Sequence, residues 1–214
     1  MLGSALSTGY NWDVPEPIRN IDYVRAGVAK ASAAFDARIA ARGFSHTRKM
    51  LWTRHTASSP FTVEFIQFHR TGSTYGSPYN ASVDFEVHFG VRVLNDPFPV
   101  LALNGPSSEH TPIEDRYHLR FNSKSGSTFE RCVDDLVRLV EHYGEPWFRS
   151  AASIEALLAP GDPPWYRHPA SPDALQPRSA IGTEARDALK RALAGEGSAE
   201  CERASLKLLG IKGK

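Results

Sequence analysis

From Ser82 to Val93 the chain reads SVDFEVHFGVRV, where Val83, Phe85, Val87, Phe89, Val91 and Val93 alternate with Ser82, Asp84, Glu86, His88, Gly90 and Arg92. Successive side chains of a strand point to opposite faces, so the pattern predicts a strand with one buried and one solvated face. Burial on one side only is characteristic of antiparallel sheets covered by helices on a single face. Met50 to His55 and Phe61 to Arg70 predict two more strands. In the second of these, Phe61, Val63, Phe65, Gln67 and His69 oppose Thr62, Glu64, Ile66, Phe68 and Arg70, and apolar residues on both faces point to a more central or partly covered position. Tyr117, Leu119 and Phe121 against Arg116, His118 and Arg120 predict a fourth strand.

Helical spacing brackets these strands. Ile21, Val24, Val28, Ala31, Phe35 and Ile39 recur at three and four, with Asn20 able to cap and Gly43 placed to end the helix. Phe129, Cys132, Val133, Leu136, Val140 and Tyr143 form a second stripe; Ser127 and Glu130 suggest a capping box, and Gly144 and Pro146 a stop. A short helix is expected from Ser153 to Leu158, and two small ones from Thr183 to Leu193 and Ser198 to Leu209, hinged at Gly195 and Gly197. The predicted class is α+β: an antiparallel sheet of four strands or slightly more, two long helices on one face, and a C-terminal helical hairpin. The expected division is an N-terminal arm at 1–19, a core at 20–159, a Pro-rich linker at 160–178 and the helical tail at 179–214.

Composition narrows the classes. Of 214 residues 41% are hydrophobic and 23% charged, the range of an ordinary soluble domain, and the formal charge of +1 provides no global field for nucleic acid or an anionic membrane. No apolar run approaches the ~18 to 20 residues that span a bilayer, and a cytoplasmic location is expected. Cys132 and Cys201 are too few and too far apart for a disulfide framework or a thiolate metal site.

Several segments in order carry a family likeness: FDARIAARGFSHTRKMLWTR, FTVEFIQFHR, SVDFEVHFGVRV and RCVDDLVRLVEHYGEPWFRSAASIEALL. Together, from about Phe35 to Leu158, they resemble the bacterial domain-of-unknown-function family 4304. The resemblance implies a compact bacterial domain and no established activity.

Candidate chemistry gathers on the expected solvated face. Glu86, His88, Arg92, Arg116, His118 and Arg120 would make a mixed-charge binding surface if their strands are neighbours. The same face could serve a hydrolase or nuclease through Asp84, Glu86, His88 and His118. The simpler explanation is solubility, since opposite charges on neighbouring strands also pair for ~0.2 to 1 kcal/mol each. No nucleophile, phosphate loop or Glu-x-Lys half of a restriction-type nuclease accompanies these residues, and the eight histidines show neither HExxH nor His-x-His spacing. No metal and no cofactor is therefore expected. Between Arg38 and Arg70 six basic residues (Arg38, Arg42, Arg48, Lys49, Arg54, Arg70) stand against Glu64 alone, interleaved with Phe44, Trp52, Phe65 and Phe68. Such a stretch could stack single-stranded nucleic acid, but aromatic core with solvated arginines is the commoner origin of this pattern and the whole chain is near neutral, so nucleic acid is not the expected partner. The reading is a non-enzymatic binding module for a partner protein or small ligand, for example an immunity or accessory protein of a bacterial conflict system.

Overall fold

The computed structural model describes residues 19–56, 59–71, 81–111, 116–158 and 176–212. Residues 1–18 of the expected arm, the 72–80 part of the long hairpin and linker residues 160–175 lie outside the described residues. Helix α1 (Asn20–Ile39) leads into a five-stranded antiparallel sheet whose spatial order equals its chain order: β1 (Ser45–Arg48), β2 (Leu51–His55), β3 (Thr62–Thr71), β4 (Ser82–Val93) and β5 (Arg120–Asn122). Then follow α2 (Phe129–Leu139), α3 (Glu145–Ser150), α4 (Ile154–Leu158), α5 (Gln176–Leu193) and α6 (Ala199–Leu209). The α+β class is as the pattern predicts, with β1 as an additional edge strand. None of the described helices is long and apolar enough to cross a membrane.

The alternation in β4 places its apolar half as expected. Val83, Phe85, Val87, Phe89, Val91 and Val93 are all buried, packed with Trp52, Ile66 and Phe68 of the neighbouring strands under Val28, Ala31 and Phe35 of α1 and Cys132, Val133 and Leu136 of α2. Phe35, Trp52 and Phe68 meet at centroid distances of 4.5 to 4.8 Å, tilted or edge-on, as aromatic quadrupoles favour.

Three local expectations are corrected. The second long helix does not stop at Gly144: a π turn (Val140–Gly144) carries it directly into α3, and Pro146, which has no N–H to give the ladder, follows immediately after the wider i→i−5 bond from Glu145 N–H to the Val140 carbonyl. Gly144 serves close approach instead, since a Cβ there would lie 2.6 Å from Phe89 Cε1. The Ser127 capping box does not form; Thr128 takes the N-cap position at φ 63° without a side-chain cap, and its hydroxyl donates to the carbonyls of Arg120 and Ser127. The fourth predicted strand is short. Only Arg120–Asn122 pairs regularly, while α2 holds the preceding backbone: His118 N–H donates to Asp135 Oδ2 (2.7 Å) and Arg138 Nη2 to the Arg116 carbonyl (3.1 Å).

The outer edge of β4 is satisfied by two segments in succession. Residues 82–84 pair with β5, and Phe85 N–H reaches the Leu119 carbonyl. Beyond them Ser108 Oγ accepts from Val87 N–H, Phe89 N–H donates to the Pro106 carbonyl, and the Asn104 amide bonds both N–H and C=O of Val91 at 3.0 Å. Asn104 thus imitates a strand residue, and an edge that could template aggregation is closed.

The C-terminal helices pack on the sheet from two sides. Ala188 and Leu189 of α5 join the main core. Leu209 of α6 closes a second cluster on the opposite face with Leu51, Val63, Phe65 and Leu94, bordered by Leu101, Leu103, Leu206 and Ile211. Thr47 Oγ1 and Arg48 Nη1 donate to the last carbonyls of α6, Leu209 and Leu208, which satisfies a helix end that would otherwise need water.

Candidate functional site

The face predicted to be solvated is divided in two. Its first half keeps Ser82, Asp84, Glu86 and His88 partly accessible; its second half, with Gly90 and Arg92, is buried. Arg92 is only 3% exposed, which corrects its assignment to a wet binding surface: α6 and the turn after β4 cover it. Its guanidinium donates to Ser205 Oγ (3.0 Å) and to the carbonyls of Asp96 (2.7 Å), Phe98 (2.8 Å) and Val100 (3.1 Å), with the Asp96 carboxylate 3.5 Å away. Burial pulls its pKa below the ordinary arginine value, against the opposing influence of Asp96 and Cys201. The fork is fully engaged in holding this turn against the sheet.

Above that fork lies a cavity of about 590 Å³ between the turn and α6. Pro97, Phe98, Pro99, Ala204 and Leu208 give it an apolar wall, and Arg48, Lys207 and Glu200 supply charge.

At the accessible half, the β3–β4 register sets His69 opposite Glu86 and Gln67 opposite His88. Glu86 and His88 point the same way along β4, and His88 Nε2 lies 2.7 Å from Glu86 Oε1. The rings of His69 and His88 are 4.6 Å apart. One donor atom from each of His69, Glu86 and His88 lies within 4.8 Å of the other two. Asp84 and His118, expected beside Glu86 and His88, are not in this group. Asp84 pairs across the ladder with the exposed Arg120; Arg116 is exposed, and the Nε2 of His118 is buried without a hydrogen-bond partner among the described residues.

A third polar cluster sits on the core face. Arg54 of β2 is opposite Glu64 of β3; Arg54 Nε donates to Glu64 Oε2 (2.7 Å), Nη1 to Glu145 Oε1 (2.8 Å) and to the Arg42 carbonyl (2.8 Å), and Nη2 to Glu145 Oε2 (3.2 Å). Its guanidinium also lies 4.3 Å over the Phe44 ring. Burial pushes Glu64 above the ordinary carboxylate range, outweighing the pull of Arg54. For Arg54 burial works against the charge, yet the two carboxylates prevail and hold its pKa up. The sequence carried a sign of this clasp: Arg54 and Glu64 both interrupt the apolar faces of their strands. His69 had no such sign, because only the register across residues 72–80 brings it to Glu86.

The basic stretch is largely engaged within the protein. Arg38 bonds Asp134 and Glu130, Arg42 bonds Glu141, and Phe44, Trp52, Phe65 and Phe68 are buried. Those aromatics offer no stacking platform. Burial pushes the Cys132 thiol up to about 12, so that thiol is no nucleophile at neutral pH. Comparison with protein-family models, curated proteins and solved structures returned no match.

Proposed function

We propose that the chain is a non-enzymatic binding module whose ligand seat is the cavity between the 96–99 turn and α6, and that it takes a small amphipathic anion. The observation that carries this reading is the wall chemistry of that 590 Å³ space. Seats for small molecules are concavities of several hundred Å³, mostly apolar, with a few placed polar groups. Here the Arg92–Asp96 pair neutralises itself, leaving Arg48 and Lys207 against Glu200, a net positive rim over an apolar floor. An apolar body would lie along Pro97, Phe98 and Leu208, and an anionic head would face Arg48 and Lys207.

Thermal unfolding with octanoate and with octylammonium tests the reading. Octanoate raises Tm in the wild type, octylammonium does not, and Ala204→Trp, which fills the cavity, loses the octanoate shift. No shift by octanoate, or equal shifts by both amphiphiles, overturns it.

A further inference from the structure

We propose that His69, Glu86 and His88 form a binding site for a divalent transition-metal ion of the zinc class. The inference goes beyond the ligand-seat reading and does not depend on it, since none of the three residues lines that cavity.

Two imidazoles and one carboxylate match zinc and similar first-row ions, whereas magnesium and calcium prefer all-oxygen shells. An ion pair or hydrogen bond at this position would need only Glu86 and one histidine. The structure brings a second imidazole against the first, at 4.6 Å between rings.

Geometry supports the same conclusion. Donors bound tetrahedrally at about 2.0 to 2.2 Å from zinc are roughly 3.3 to 3.6 Å from one another. The three donor atoms already lie within 4.8 Å of each other, and His88 Nε2 and Glu86 Oε1 are 2.7 Å apart, so the set brackets that spacing and side-chain torsions are the adjustment it asks for. The backbone positions need no change, because Glu86 and His88 are two apart on one strand and His69 is directly across from Glu86. The Glu86 and His88 side chains are only 18% and 12% exposed, so the site is shielded by its surroundings and held by paired strands rather than by loops.

Three protein ligands leave a coordination position for water or another ligand, as in open zinc sites. Gln67 and His69 line a neighbouring hollow of about 270 Å³ with Leu101 and Leu103, which gives access from one side.

The test uses the 214-residue chain treated with EDTA, dialysed, and titrated calorimetrically with ZnCl2, with CoCl2 as a spectroscopic probe and MgCl2 as a contrast. One equivalent of zinc binds, cobalt gives visible tetrahedral absorption, and magnesium does not bind. His69→Ala and His88→Ala each weaken zinc binding by more than the ~10 to 100-fold that loss of an outer-shell partner costs. His142→Ala, an exposed histidine outside the set, leaves it unchanged. Circular dichroism checks folding. If His88→Ala does not fold, His69→Gln at a partly exposed position decides the matter. The proposal is overturned if the wild type binds no zinc, if the His69 variants keep wild-type affinity, or if His142→Ala loses binding to the same extent.

Discussion

Phe65 and Gly90 face each other across β3 and β4, and the Phe65 ring occupies the space a side chain at position 90 would need: a Cβ there would lie 2.1 Å from Phe65 Cζ. The absence of a side chain in the polar alternation of β4 is thus what lets a large apolar residue enter the second core. Gly90→Ala is expected to cost about 1 to 3 kcal/mol through overpacking. Phe65→Leu in the same chain should recover part of that loss, because residues in direct contact couple by roughly 0.5 to 3 kcal/mol. Urea denaturation of the two single variants and the double variant measures the coupling; strict additivity would show that the ring and the glycine do not constrain each other.

Arg54 is the shared cation of two largely buried carboxylates, Glu64 at 5% and Glu145 at 12% side-chain exposure. Arg54→Met should cost about 3 to 5 kcal/mol at neutral pH, since it leaves buried charge without its partner. A loss below about 1 kcal/mol in chemical denaturation would mean that water or movement compensates.

The same cluster sets a pH dependence with a definite sign. Burial raises the Glu64 pKa above its unfolded value, so the native state holds this proton more tightly than the unfolded chain. The contribution to stability is therefore complete below the unfolded value and lost as pH rises through the folded one. Glu64→Gln removes that titration. Denaturation of both proteins in steps from about pH 4 to 8 should show the wild type losing ground to the variant as pH rises above the ordinary glutamate value. A gap that moves in the wild type's favour over that range would reverse the assignment.

Helix α6 closes the second core through Leu209 and receives Arg92 through Ser205, both fully buried. Leu209→Ala should cost about 2 to 5 kcal/mol by opening that core. Ending the chain before Ser198 should cost more, because it exposes Leu51, Val63, Phe65 and Leu94 and removes an acceptor from a buried guanidinium. Thermal melting and dye binding to exposed apolar surface read both. A shortened chain that melts like the full one would show that α6 does not stabilise the sheet.

Periodicity in the sequence determined the strands at β3 and β4, the stripes of α1 and α2, and the face of β4 that they bury. Those features depend on which side chains share a face, and the two-residue strand repeat and the 3.6-residue helix repeat fix that within a dozen residues. Tertiary structure alone decided what covers the other face. Arg92 alternates with apolar residues as Glu86 does, yet a helix more than a hundred positions later buries one and leaves the other partly accessible. It also decided the register that sets His69 against Glu86, because the connection between β3 and β4 is too long for local turn chemistry to specify pairing. The Arg54 clasp and the passage of α2 into α3 have the same origin: Glu145 reaches Arg54 across 91 positions, and Gly144 yields to the Phe89 ring rather than ending a helix.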